Sequence, residues 1–151
     1  MTASNPERIF HIATRADWDQ TLRTGTYTTS TVGRTLAEEG FIHASRREQV
    51  AGVFDRYYRP LREPLVLLAI EPSRLTDADV RVEPVGDDTY PHVFGPINRS
   101  AVVEAVPIDR HGRPESLGTV VLKDVARRMG IAVLVMIIIA VAVLVGREIG
   151  R

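Results

Sequence analysis

The sequence contains no cysteine in its 151 residues. A disulfide framework, a thiolate metal site and a cysteine nucleophile are therefore excluded. The first residues also lack the basic start and the apolar run of a secretory signal peptide, so we expect no export by a cleaved signal. No internal repeat is visible, and a chain of this length predicts one ordinary globular core.

An excess of charge of one sign is absent as well. The chain carries 19 Lys and Arg residues and 19 Asp and Glu residues. Four of the basic residues but only one acidic residue follow position 126, so the preceding part of the chain is mildly acidic. A nucleic-acid-binding surface needs an excess of basic residues, and we therefore expect no nucleic-acid partner.

One long apolar run is present, from Met129 to Gly146. It is apolar around the whole helix, whereas a surface helix of a globular protein has a polar face. Such a helix covers roughly 27 Å, close to the thickness of a bilayer core. Arg127 and Arg128 precede the run and Arg147 follows it, where charge belongs at an interface. The run predicts one transmembrane helix over 129–146, with a buried or oligomerising helix as the alternative.

The membrane is thus an expected partner, through this C-terminal helix. The Lys and Arg residues on the two flanks favour a globular domain on the cytoplasmic side. The predicted localisation is therefore a single-pass membrane protein with its domain in the cytoplasm. Protein partners and the oligomeric state are not indicated by any motif.

Local patterns predict alternating strands and helices in the first half of the chain. Thr14 can cap a helix that Gly25 would end, and Ser45 with Glu48 has the spacing of a capping box. The predicted elements are a strand at 8–13, a helix at about 15–23, a short helix at about 34–39, a strand at 41–44 and a helix at about 46–58.

The second half of the domain has the pattern of strands. Leu65–Ile70 is a continuous apolar run between two prolines, which is typical of a central strand covered on both faces. Further strands are predicted at 79–84 and 101–107, separated by a long loop at 85–99 of a kind that is usually functional or mobile. The fold class is α+β, a curved mixed sheet with packed helices, over residues 8–108, followed by a linker at 109–128.

Three of the four histidines lie in separate segments of this domain. They are His11 in FHIAT, His43 in GFIHAS and His92 in YPHVFGPI. An imidazole can hydrogen-bond a ribose hydroxyl, act as a general acid or base, or bind a metal. We expect the mixed sheet to bring the three rings to one cleft, although each can also be a structural histidine with its hydrogen bonds satisfied.

The neighbours of these histidines suggest what the cleft would bind. Ser45 follows His43 at the start of a predicted helix, where phosphate or carboxylate is attracted, unless the serine is only a cap. Tyr90 and Phe94 flank His92 and offer aromatic walls to a planar ring. Glu83 and Glu104 are carboxylates that could face the pocket or a solvated strand face.

Two other site classes are disfavoured by the spacing. No two of the three histidines are separated as HxH or HxxxH, so nothing local fixes zinc geometry and no metal site is predicted. Ser45 does not stand in a GxSxG motif, which argues against a serine hydrolase with a nucleophile elbow.

Several motifs together resemble a known family. The segments RIFHIAT, EGFIHAS followed by Gln49, LVLLAIEPSRL, and YPHVFGPI followed by AVVEAVPI resemble the bacterial and plant family catalogued as domain of unknown function 952. The resemblance covers residues 8–108. That family is similar in fold to the ADP-ribosyltransferase superfamily, in which a split, curved sheet holds a nicotinamide dinucleotide.

The resemblance implies roles for particular residues. His11 would hydrogen-bond the nicotinamide-side ribose, and His43 with Ser45 would line the nicotinamide pocket. The superfamily often places a glutamate on a later strand to orient the ribose. Here Glu83, Glu104 and His92 compete for that third position.

The expected function is therefore binding of NAD or a related nucleotide, with transfer of ADP-ribose, so that NAD would be a substrate. The catalytic candidates are His11, His43, Glu83 and His92, and Ser45, Tyr90 and Phe94 join His11 and His43 as binding candidates. The alternative is a non-catalytic adaptor that holds a peptide or a small metabolite in the same cleft.

Overall fold

The computed structural model describes residues 8–115 and 117–149, and within the last helix it describes the side chains of residues 125–141. The chain divides into two compact units, Met1–Pro114 and Glu115–Arg151. The division falls inside the segment predicted as a linker. In chain order, the strands and helices are β1 (Ile9–Thr14), α1 (Arg15–Thr24), β2 (Thr26–Tyr27), β3 (Thr29–Thr31), β4 (Arg34–Thr35), α2 (Leu36–Glu39), β5 (Ile42–His43), α3 (Val50–Val53), β6 (Leu65–Ile70), β7 (Asp79–Val85), β8 (Asp88–Phe94), β9 (Ile97–Asn98), β10 (Val102–Ile108) and α4 (Leu117–Ile149).

The first unit is a mixed α+β fold made mostly of strands, which confirms the predicted class. The predicted single mixed sheet is wrong, because every strand pairing among the described residues is antiparallel and the strands form separate sheets. The first sheet has the order β1-β6-β10, with both pairings antiparallel. The apolar strand β6 lies in the centre, which confirms its predicted position. A second sheet has the order β5-β8-β7, and two short pairs, β2-β9 and β3-β4, complete the described sheets.

Side chains alternate along β1 between two apolar clusters. Ile9 and Ala13 join a cluster that includes Ile42 and Val93 of the second sheet. Phe10 and Ile12 join the other cluster, which contains Val50, Phe54 and Tyr58 of the helical segment. Each large side chain that is fully buried in this way contributes about 1.5–3 kcal/mol. Apolar side chains therefore pack against both faces of β1, which fixes the position of His11 between its apolar neighbours.

The predicted loop at 85–99 is wrong, because most of it is strand. Val85 pairs with Asp88 across a two-residue turn at Gly86, whose φ is +64°, and β8 then pairs with both β7 and β5. The glycine and proline residues of this segment favour a loop when the sequence is considered alone. Pro91 has no N–H to donate, but its carbonyl still accepts from the Ala44 N–H at 3.0 Å.

The first helix follows its sequence signals. Thr14 accepts a hydrogen bond from the Asp17 N–H at 3.1 Å, and Gly25 ends α1 with φ +83°. A helix N-cap and a left-handed glycine are thus both present as predicted.

The predicted helix at 46–58 forms, but as a 3₁₀ turn (Arg47–Gln49), the α-helix α3 and a π-helical turn (Phe54–Tyr58). The predicted capping box of Ser45 and Glu48 is wrong. Ser45 exchanges two backbone hydrogen bonds with Phe10, each 2.8 Å long, so it stays in the sheet. Gln49 caps instead, because its Oε1 accepts from the Arg46 N–H at 2.9 Å.

The second unit contains helix α4, and the predicted transmembrane helix at 129–146 is wrong. Within the described residues, no helix is long and apolar enough to cross a bilayer. The predicted flank at Arg147 lies outside the described side chains. The expected membrane partner and the single-pass localisation depended on this helix, so these predictions are wrong as well.

Candidate functional site

A cleft of about 350 Å³ opens beside the second sheet. Its lining includes all three histidines singled out from the sequence, together with Ser45 and Tyr90. The helical segment supplies another wall, with Arg56, Tyr57 and Tyr58. The predicted meeting of three distant imidazoles is therefore present in the structure, and their individual environments decide what each can do.

Both ring nitrogens of His11 form hydrogen bonds within the protein. Its Nδ1–H donates to the His43 carbonyl oxygen at 2.6 Å, since a carbonyl can only accept. Its Nε2 lies 2.8 Å from the Tyr27 hydroxyl. Burial lowers the pKa of His11 from 6.5 to about 4, so the ring is neutral at pH 7 and Nε2 accepts from the Tyr27 O–H. His11 therefore has no free ring nitrogen and positions the His43 backbone.

His92 forms a pair with Glu83. Its Nδ1 lies 2.7 Å from Oε2 of Glu83, so the Nδ1–H donates to the carboxylate. The family resemblance left Glu83 and His92 as alternatives for one catalytic position, whereas in the structure their side chains form a hydrogen bond. A carboxylate on Nδ1 orients an imidazole and leaves Nε2 as its reactive atom.

The Nε2 atom of His92 is buried and has no hydrogen-bond partner among the described residues. The ring is only 4% exposed and stacks on Phe41, with the ring centres 4.2 Å apart. An unpaired buried acceptor costs about 1–3 kcal/mol. Because His92 lines the cleft, this nitrogen is a candidate contact for a ligand.

His43 is the accessible histidine. Its side chain is 45% exposed, and its ring centre lies 5.3 Å from that of His92 in an edge-to-face arrangement. Burial and then the neighbouring His92 lower its pKa, while Glu39, 3.8 Å away, raises it. Two imidazoles this close disfavour simultaneous protonation.

Ser45 and Tyr90 lie beside these rings. The pairing of His43 with His92 continues through the Ala44 N–H bond to Pro91, which puts Ser45 across from Tyr90 on the same face as His43. Within residues 8–115, no side-chain hydrogen bond of Ser45 is present. Its hydroxyl is therefore available to a ligand.

The helical wall adds a cation and two phenols. Tyr58 is buried, which raises its pKa, and its hydroxyl lies 3.5 Å from that of Thr31. Arg56 forms no ion pair with the described residues, because its neighbour Asp55 pairs with Arg59 instead. A π-helical turn is frequent at functional sites, and here it carries Arg56 and both tyrosines.

Three predicted residues lie outside the cleft lining: Glu83, Phe94 and Glu104. Phe94 is on β8, with the Arg81 guanidinium 4.4 Å above its ring and the Phe41 ring centre 5.5 Å away. Glu104 is exposed on β10, opposite Ala69. Glu83 reaches the cleft only through its contact with His92.

Several residues that form or support the cleft have no recognisable signal in the sequence. Phe41 stands inside a motif quoted for the family resemblance, but nothing local shows that Phe41 stacks on His92 or that Tyr27 bonds His11. Tyr58 and Arg56 fall on a helix whose spacing indicates only core packing and solvent exposure. Gln49 ties the helical segment to the hairpin by donating to Asp88 at 2.8 Å and to the Thr89 carbonyl at 2.9 Å.

Metal binding finds no support in the described part of the chain. No group of three or more His, Cys, Asp or Glu side chains there is arranged to hold an ion. The cleft therefore offers imidazole, hydroxyl, guanidinium and aromatic groups. This set suits proton transfer, anion binding and ring stacking.

Comparisons with known proteins give a family and a solved relative. Residues 12–105 match the family described as Protein of unknown function (DUF952). The crystal structure of protein CC0527 from Caulobacter crescentus is 32% identical with a TM-score of 0.59, covering 72% of this chain and 93% of that one. Its solution NMR structure is 30% identical with a TM-score of 0.54, covering 72% and 91%. No curated protein matches the chain.

Proposed function

Because the chain belongs to the DUF952 family, whose description names no activity, we propose a function from the geometry of the cleft. The cleft binds a nucleotide-like ligand, with NAD as the first candidate, and transfers ADP-ribose to an acceptor. One observation carries the proposal. The Nε2 atom of His92 is buried and unpaired in the cleft wall while Glu83 holds the opposite nitrogen.

A ligand hydroxyl would remove the cost of that unpaired atom. Since the Nδ1–H donates to Glu83, Nε2 is the ring nitrogen left to accept a hydrogen bond. The ribose of a nucleotide supplies hydroxyl donors of this kind. The Ser45 hydroxyl, also without a side-chain hydrogen bond, lies on the same face and offers a second contact.

The walls of the cleft suit the remaining parts of a nucleotide. Tyr57, Tyr58 and Tyr90 line it, and aromatic faces favour a planar ring. The Arg56 guanidinium, without an ion-pair partner among the described residues, matches the negative charge of a phosphate. A ligand with a ring, a ribose and phosphates would use all three features.

The proposed reaction exchanges one bond at the ribose carbon of NAD. The bond between this carbon and the nicotinamide nitrogen breaks, and nicotinamide leaves with the electron pair. The acceptor hydroxyl replaces the ligand hydroxyl at Nε2 of His92, forms the new bond to the same carbon and passes its proton to Nε2. Glu83 stabilises the imidazolium through the Nδ1–H contact. The similarity of the family to the ADP-ribosyltransferase superfamily is part of this proposal.

Calorimetric titration of the full chain tests ligand binding. We expect NAD and ADP-ribose to bind the wild type, and His92→Gln to weaken this binding about tenfold, the loss typical of one hydrogen bond. The matched control is His111→Gln, since His111 is exposed outside the cleft and its loss is expected to leave affinity unchanged. Absence of binding at millimolar ligand contradicts the proposal.

One observation favours an adaptor that binds without turnover. The cleft lining contains no aspartate or glutamate, so no carboxylate faces the reacting ribose directly. Under this alternative, the cleft holds a peptide or a small metabolite. Release of nicotinamide from NAD separates the two functions: the transferase releases it, while the adaptor binds its ligand and releases none.

A further inference from the structure

A second pocket, of about 430 Å³, has a different chemistry from the cleft. It lies where β1 begins and β6 ends, and three arginines line it: Arg8, Arg74 and Arg99. It shares no lining residue with the histidine cleft. We propose that this arginine pocket binds the phosphate group of a small molecule, independently of the function proposed for the cleft.

The charge of the arginine pocket is only partly balanced. Arg74 pairs with Glu71, with Nε 3.0 Å from Oε2. Arg8 and Arg99 have no ion-pair partner in the part of the chain that the structure describes. Three guanidinium groups against one carboxylate leave a net positive charge, and an anion that enters relieves the repulsion among them.

The frame of the pocket is held by Asn98. Its Nδ2 donates to the Arg74 carbonyl at 3.0 Å and to the Ser100 hydroxyl oxygen at 2.7 Å. Its Oδ1 accepts from the Thr76 N–H at 3.1 Å. One side chain thus ties together the two turns that carry Arg74 and Arg99, so the backbone of both turns is held in place before a ligand binds.

The donors point to a phosphate rather than to a neutral ligand. Since the Ser100 oxygen accepts from Asn98, its O–H remains free to donate. Guanidinium and hydroxyl groups are donors that match phosphate oxygens, and the guanidinium fork binds two of them together. The pocket is larger than a phosphate ion, and Trp18 lies in its wall. An organic group attached to the phosphate would pack against that ring.

Nuclear magnetic resonance of the full chain tests this site. Labelled Arg Nε–H and Trp18 indole signals are followed during addition of inorganic phosphate, with sodium chloride at equal ionic strength as the parallel titration. We expect saturable shifts with phosphate only. Arg99→Gln should weaken the affinity about tenfold, the loss of one charge-assisted contact. Trp18 is the only tryptophan, so its signal is unambiguous.

Two controls separate this site from general charge effects. Arg62→Gln removes the same charge from an exposed residue outside the pocket and should leave the affinity unchanged. Ser100→Ala keeps every charge and should still weaken binding. Ribose 5-phosphate and ribose, added separately, distinguish a phosphate ester from the free ion. Shifts that follow ionic strength alone, or equal affinities in the two arginine variants, overturn the proposal.

Discussion

The Nδ1 atom of His92 lies 2.7 Å from the Oε2 atom of Glu83 on the neighbouring strand. In the register of the hairpin, Glu83 lies opposite Tyr90 and is a diagonal neighbour of His92, which follows Tyr90 by two residues. A long side chain can span that distance. This contact selects the ring tautomer that exposes Nε2. A strand glutamate and a strand histidine become one functional unit through this geometry.

We predict that Glu83→Ala changes the tautomer of His92. Without the carboxylate, Nδ1–H loses its acceptor and the proton is shared between both ring nitrogens. The ¹⁵N shifts of the imidazole measure this change directly. Nicotinamide release, where it occurs in the wild type, should fall by about 100-fold or more, the usual contribution of a general base.

Glu104→Ala is the control, because this glutamate is exposed on another strand and outside the cleft. It should leave both the tautomer and the reaction unchanged. An unaltered His92 tautomer in Glu83→Ala would show that the carboxylate does not orient the ring.

We predict that His11 makes stability fall in acid. Its pKa is about 4 in the folded protein, lowered by burial, against 6.5 when unfolded. Between these values the unfolded chain binds a proton that the folded chain does not. The contribution is fully present above pH 6.5 and is lost as the pH falls toward 4, by about 3 kcal/mol. Urea unfolding at a series of pH values measures it.

The matched variant for this pH series is His11→Gln. It should be less stable at pH 7, because the buried contacts to Tyr27 and to the His43 carbonyl are disturbed. It should also lose the slope that His11 contributes between pH 6.5 and 4. An equal slope in both proteins would contradict the assignment of a depressed pKa to His11.

We predict opposite changes in the pKa of His43 in two variants. Burial and the charge of His92 lower this pKa, while Glu39 raises it. His92→Phe removes a like charge and should raise the pKa of His43. Glu39→Gln removes an attraction and should lower it further. Titration of the imidazole C–H signals measures both, and a shift in the same direction in the two variants would refute the electrostatic account.

We predict that Gln49→Ala destabilises the domain by about 2 kcal/mol, because the buried Gln49 carboxamide and its three hydrogen bonds are lost. The Gln49 carboxamide accepts from the Arg46 N–H and donates to Asp88 and to the Thr89 carbonyl. Gln20→Ala, at an exposed helix position, is the control and should change stability by less than about 0.5 kcal/mol. Denaturant unfolding compares the two, and equal losses would reject the role of Gln49.

Several elements could be predicted because their signals are local. Thr14 and Gly25 delimit α1 through contacts within four residues, and the apolar run of β6 requires cover on both faces wherever it lies. The predicted loop at 85–99 failed because strand pairing with β5 and β7 outweighed the breaking tendency of Pro91. Ser45 failed as a cap because Phe10, 35 positions away in the printed sequence, pairs with its backbone.

The sequence by itself determined the α+β character of the domain, its central strand, its family and the three histidines worth examining. Apolar periodicity, capping residues and motifs act over short distances and can be read directly. Only the tertiary structure decided what each histidine does. His11 is closed by Tyr27 and a backbone carbonyl, whereas His92 keeps one nitrogen free because Glu83 takes the other. Strand register sets these contacts, and register depends on the packing of the whole domain.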